Sequence, residues 1–170
     1  TPNAAERRRG EVVSQSSATA AVPMVRASAS YYFGGPVPLR AASYHHTCRT
    51  SRYRPPGVDE SWQVGPLRVN FKHLATPTPI PLPLVPKESP QGRVQFQPSR
   101  EMTIAGQPNR CSIDVTMSDA SYQSHSGHTE YLVHPARYYL AIKFPGSVEA
   151  GLPLALPVQA LTYDGKRVAA

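Results

Sequence analysis

Apolar and polar residues alternate along several short stretches of this chain, a period of two that marks strands with one face on a core and the other in water. Residues 67–73 carry it most clearly: Leu67, Val69 and Phe71 point one way, Arg68, Asn70 and Lys72 the other. Cys111, Ile113, Val115 and Met117 alternate with Ser112, Asp114 and Thr116, and Val94 and Phe96 alternate with Arg93, Gln95 and Gln97. Tyr138 to Phe144 is almost continuously apolar, as for a strand buried on both faces. Leu152, Leu154, Leu156 and Val158 also alternate, but Pro153 and Pro157 each remove a ladder donor, so that strand is expected at an edge or bulged.

Turn chemistry separates these stretches. Gly34-Gly35-Pro36, Pro55-Pro56-Gly57, Gln107-Pro108-Asn109, Pro145-Gly146 and Asp164-Gly165 punctuate the chain at the spacing of an all-β fold. The sequence therefore predicts a single β-sandwich or jelly-roll-like domain of seven to nine strands over residues 31–170. Six of the 14 residues from Pro77 to Pro90 are proline, which reads as an extended polyproline crossover. Its apolar residues Ile80, Leu82, Leu84 and Val85 favour packing on its own protein over service as a docking ligand. Residues 1–30 are small and polar, with no apolar stripe over Ser14 to Ala21, and form an extended N-terminal arm. Val22, Met24 and Val25 could add an extended segment to a neighbouring surface.

Composition supports this picture. Nineteen prolines and 11 glycines in 170 residues argue against long helices. Leu, Ile, Val and Phe make up one residue in five, enough for a thin core. No run of about 18 apolar residues exists to form a membrane-spanning helix.

The net charge of +7 is concentrated in the first third. Residues 1–55 hold eight arginines (Arg7, Arg8, Arg9, Arg26, Arg40, Arg49, Arg52, Arg54) against Glu6 and Glu11, whereas the remainder is nearly balanced and holds all four lysines. Guanidinium forks bind phosphate or carboxylate bidentately and stack on aromatic rings. Tyr31, Tyr32, Phe33, Tyr44 and Tyr53 are interleaved with them, a pairing that single-stranded nucleic acid uses for stacking and phosphate contact. The same pattern also fits core-facing aromatics beside arginines that meet an acidic protein neighbour.

Cys48 and Cys111 stand 63 residues apart, compatible with one disulfide or with two free thiols, and Cys111 reads most simply as a small buried apolar residue. His45, His46 and Cys48 form one histidine-rich cluster and His125, His128 and His134 another. On a strand His45 and His46 face opposite ways, and the Ser/Gly-rich surroundings of His125 and His128 read as an exposed loop. No metal site and no cofactor is expected. No Gly-x-Ser-x-Gly elbow, phosphate loop or Gly-x-Gly-x-x-Gly is present, and Asp59-Glu60 sits in a solvated turn, so an enzyme is not expected. Trp62 reads as a core or interface anchor, and Tyr31, Tyr32 and Phe33 as interface candidates. The chain starts at Thr1, as after a cleaved leader, a trimmed end or excision from a polyprotein.

An arginine-bearing arm, a small β-sandwich and a stiff proline crossover together resemble the coat or surface proteins of small icosahedral viruses. That likeness is of architecture, and it implies a non-enzymatic shell subunit located in the virion, with copies of itself or other shell subunits as partners, possible RNA contact and no membrane. A single triple arginine is a small charge for packaging a genome, which leaves room for an outer-shell role. The alternatives are a subunit of an organellar ribonucleoprotein or respiratory assembly in an organelle matrix, and a small enzyme or secreted β-domain.

Overall fold

A computed structural model describes residues 23–32, 34–66, 69–86 and 89–168. Arg7, Arg8, Arg9, most of the expected arm and Phe33 lie outside the described residues. Over the described residues the chain is all-β, built from antiparallel sheets in a sandwich-like arrangement.

The largest sheet is organised by two long strands. β2 (Leu39–Thr50) pairs with β7 (Asn109–Asp119), and β8 (Ser124–Val133) continues on the far side of β7. The other edge of β2 takes two short strands at different heights, β4 (His73–Ala75) opposite Thr47 to Arg49 and β5 (Ile80–Pro81) opposite Ser43 and Tyr44. The proline crossover is thus laid along β2 as an edge segment, where the missing proline donors face away from any ladder.

Inward positions of this sheet alternate with outward ones through every row. Ala42, Tyr44, Ile113, Val115 and Met117 form its buried face. A two-stranded ribbon, β1 (Val25–Ser28) with β6 (Arg93–Phe96), covers that face through Val25, Val94 and Phe96, and the Tyr44 and Phe96 rings lie 4.5 Å apart. The end of the expected arm is therefore a strand of the core, its extended segment added to its own chain at β6.

A third sheet, in the order β10 (Val158–Thr162), β9 (Tyr138–Lys143), β3 (Trp62–Val64), is joined to the first by an aromatic cluster. Tyr53, three residues beyond β2, and His134, just past β8, lie 4.7 Å apart between ring centroids, with Tyr139 at 5.3 Å from Tyr53 and 5.8 Å from His134, and Tyr163 at 5.3 Å from His134. Tyr53 donates its hydroxyl to the Tyr163 carbonyl (2.6 Å), and His134 Nδ1 shares a hydrogen bond with the Tyr139 hydroxyl (2.8 Å).

The structure corrects four local expectations. Of the strand expected over residues 67–73, Leu67 and Arg68 lie outside the described residues, His73 opens β4, and Val69–Lys72 is not a strand: among the described residues its attachment is to Thr50, and Phe71 is 71% exposed. The residues alternate, but no second strand lies alongside to complete a ladder. The Ser/Gly-rich surroundings of His125 and His128, expected as an exposed loop, lie within strand β8, because β7 offers a template along nearly its whole length. β9 is central in its sheet, yet only one of its faces is buried. Only Val158 of the Leu152–Val158 pattern belongs to a strand, and that strand lies at an edge as expected.

Candidate functional site

Three features carry chemistry or surface that the scaffold does not need for itself. The first is the outer face of the small sheet. In β9, Tyr139 and Ala141 face inward and are buried, while Tyr138 and Leu140 face out at 47% and 59% exposure. Register places Val158 and Ala160 of β10 beside Ile142 and Leu140 on that outer face. The connection from β9 to β10 adds exposed Phe144, Val148, Leu152 and Leu154. Seven large apolar side chains near half exposure amount to roughly 700 Å², taking about 100 Å² for half of one such side chain. The sequence marks this stretch as apolar but as buried on both faces; it holds no sign that nothing in the described chain covers the outer face.

The second is a cavity of about 530 Å³ where the sheets meet, lined by Arg52, Tyr53, Arg54, Gln107, Tyr138 and neighbouring backbone. Arg54 is committed to the wall, donating from Nη1 to the carbonyls of Asp59 (2.6 Å) and Trp62 (2.9 Å). Ser51 Oγ and Gln107 Oε1 are buried at this junction without hydrogen-bond partners. Asp59 is held below the usual carboxylate range chiefly by the hydrogen bonds from the Ser61 hydroxyl and amide. Burial, reinforced by the charges of Asp164 and Tyr163, pushes the Tyr53 phenol up, and burial lowers the His134 imidazole.

The third lies on the inward face of β2 and β7. His46 and Cys48 are two apart on β2 and point the same way; Cys111 is directly opposite Cys48, and Tyr131 of β8 is directly opposite Cys111. Cys48 and Cys111 are joined in a disulfide, which decides between the two states their spacing allows. His46 Nε2 shares a hydrogen bond with the Tyr131 hydroxyl (2.8 Å) and lies 3.3 Å from Cys48 Sγ, while its Nδ1 is buried without a partner. Burial, and secondarily the charge of His45, lowers the His46 pKa, and burial pushes Tyr131 up to about 12, so both rings are neutral. His45 points the other way as expected and meets Thr76 Oγ1 at 2.8 Å.

The remaining candidates are dispersed. Arg26 on β1 donates to Gln95 Oε1 (3.1 Å), and Arg40 stacks over the Tyr122 ring at 4.2 Å. Arg49 is exposed on the outward face of β2 opposite Arg110, whose charge is matched by Glu130 at 3.3 Å. Arg52 and Arg54 alone are brought together, at the cavity. Tyr44 belongs to the core and Tyr53 to the aromatic cluster, leaving Tyr32, at 93% exposure, as the one described ring of the interleaved set that is fully presented to solvent. Tyr31 is half-buried, and so is Trp62 on the edge strand β3. His125 and His128 fall on opposite faces of β8, three apart on a strand; His128 pairs with Asp114 at 2.7 Å on the outward face, and His134 joins the aromatic cluster.

Comparisons with protein-family models, with curated proteins and with solved structures find no match to this chain. Among the described residues, no helix is long and apolar enough to cross a membrane. What the fold itself defines is an all-β, sandwich-like protein fastened by one internal disulfide.

Proposed function

We propose that the chain is a non-enzymatic structural subunit of a large assembly, a viral capsid or capsid-surface protein whose N-terminal arm contacts neighbouring subunits or nucleic acid. The observation that carries this reading is the open apolar face of the β10-β9-β3 sheet. The exposed apolar side chains of this face and of the connection that follows β9 sum to roughly 700 Å², close to the ~800 Å² that one partner contributes to a standard protein–protein interface, and leaving them wet costs hydrophobic free energy that association recovers. The arginine-rich first third supports contact with an acidic or phosphate-bearing neighbour, through Arg26, Arg40, Arg49 and Arg52 on the folded part and Arg7 to Arg9 on the arm, whereas Arg54 is spent on the Asp59 and Trp62 carbonyls.

Light scattering and negative-stain microscopy of the full chain test the proposal. Particles or defined oligomers are expected, and Leu140→Glu with Val158→Glu should reduce them to monomers while the β-sheet circular-dichroism spectrum is unchanged. A wild-type chain that stays monomeric at tens of micromolar, alone and with a polyanion, would overturn it.

A further inference from the structure

We propose that, once the Cys48–Cys111 bond is reduced, His46, Cys48 and Cys111 hold one soft divalent cation, Zn²⁺, so that the disulfide and the ion are alternative fastenings of β2 to β7. The donor atoms of the three residues all lie within 4.8 Å of one another, and all three residues are fully buried. Two ligands at i and i+2 on one strand, with a third directly across the ladder, project from one sheet face at spacings of about 5–7 Å between Cβ atoms, which lets three side chains converge on one point. Zinc with Zn–S of about 2.3 Å and Zn–N of about 2.0–2.1 Å sets an N···S edge of about 3.6 Å, and His46 Nε2 already stands 3.3 Å from Cys48 Sγ.

The imidazole supplies an independent pointer. A disulfide needs no histidine beside it, yet His46 is fully buried with its Nε2 edge turned to Cys48 Sγ, a placement that an apolar residue would fill at less cost. Neutral imidazole and two thiolates are a soft donor set of the kind zinc prefers, and three protein ligands leave a fourth position open. On binding the ion, His46 Nε2 exchanges its hydrogen bond with the Tyr131 hydroxyl for the Zn–N bond.

The chemistry balances in two steps. A phosphine delivers two electrons to the S–S bond and takes up the oxygen of one water, whose two protons go to the sulfurs, giving two thiols and the phosphine oxide. Binding of Zn²⁺ then releases the two thiol protons and forms two Zn–S bonds and one Zn–N bond.

The test uses the full chain reduced with a phosphine, dialysed against Zn²⁺, and measured by native mass spectrometry, thiol alkylation and thermal melting. One zinc per chain is expected in the reduced protein and none in the oxidised one, with both thiols protected from alkylation by the ion. Co²⁺ in place of Zn²⁺ should give thiolate-to-metal charge-transfer absorption that Cys48→Ser/Cys111→Ser abolishes, and His46→Phe should weaken zinc binding at least tenfold. A reduced chain that is folded but binds no more zinc than the double serine variant overturns the proposal. So does a reduced chain that unfolds and is not refolded by zinc, whereas zinc-dependent refolding supports it.

Discussion

Gly92→Ala should destabilise the protein far more than Gly106→Ala, although both glycines hold a left-handed backbone conformation. Gly92 leads into β6 at φ +67°, and an added Cβ would sit 2.3 Å from the carbonyl oxygen of Ala29 and 3.0 Å from both Val37 N and Val37 O. The neighbours are backbone held in a network: Ala29 donates to the Gly92 carbonyl (2.8 Å), and the buried Val37 amide donates to the Ala29 carbonyl (3.2 Å). They have no side-chain rotamer through which to yield. Forcing an L-residue into the left-handed region costs about 1–2 kcal/mol. Relieving the clash requires moving the Ala29 carbonyl by about 1 Å, which breaks the bond from Val37 and leaves a buried amide unpaired, a further ~1–3 kcal/mol. The reduced entropy of the unfolded chain returns about 0.4–1 kcal/mol. The net expectation is a loss of about 3 kcal/mol. Gly106, at φ +79° with nothing within 4 Å of its Cβ position, shares the conformational cost but not the clash, so Gly106→Ala should lose about 1 kcal/mol or less. Urea unfolding of the two variants beside wild type isolates the difference, which corresponds to a gap in melting temperature of roughly 4–8 °C for a chain of this size. If the two variants melt together, the close passage of Gly92 between Ala29 and Val37 is refuted as a determinant of how the β1–β6 ribbon is joined to the core.

Replacing Cys48 and Cys111 together by alanine opens a 63-residue loop and should lower stability by about 4 kcal/mol in the chain-entropy description, read by denaturant titration under oxidising conditions. Burial lowers the folded-state pKa of His134 below its ordinary 6.5, so the unfolded chain binds the proton first; this contribution to stability is full above pH 6.5 and is lost as pH falls from there through the lowered folded value. An NMR titration of the His134 ring should show a midpoint below 6.5, and a midpoint above it would contradict the buried, Tyr139-bonded placement. Arg7, Arg8 and Arg9 replaced by glutamine should weaken binding to a polyanion and flatten its salt dependence by about the number of phosphates the three guanidinium groups neutralise. An unchanged slope in a filter-binding series would show that they touch no phosphate.

The strands most legible in the sequence are those whose inward residues are large and apolar. Ile113, Val115 and Met117 of β7 and Val94 and Phe96 of β6 declare their face by themselves, and Pro153 and Pro157 keep all of the Leu152–Val158 stretch but Val158 out of a strand. β2, the strand on which the large sheet turns, carries no such signal. Its inward residues are Ala42, Tyr44, His46, Cys48 and Thr50, small or polar, and they become a core only through partners far along the chain: Thr76 to the His46 backbone, Tyr131 to its ring, Cys111 to Cys48. The grouping of His46 with both cysteines is hidden for the same reason. Its third member lies 63 residues away, and only the antiparallel register puts it opposite Cys48.

By itself the sequence determined an all-β chain with extended proline segments, because a period of two and the abundance of proline and glycine act locally and need no partner. It also placed the excess charge in the first third. Tertiary structure decided which stretches found a neighbour: Val69–Lys72 alternates yet stays outside any sheet, while the surroundings of His125 and His128 look like a loop and lie within a strand beside β7. A strand is completed by hydrogen bonds from another part of the chain, so its existence depends on what lies next to it. That dependence also left the outer face of the small sheet bare, which no local pattern could announce.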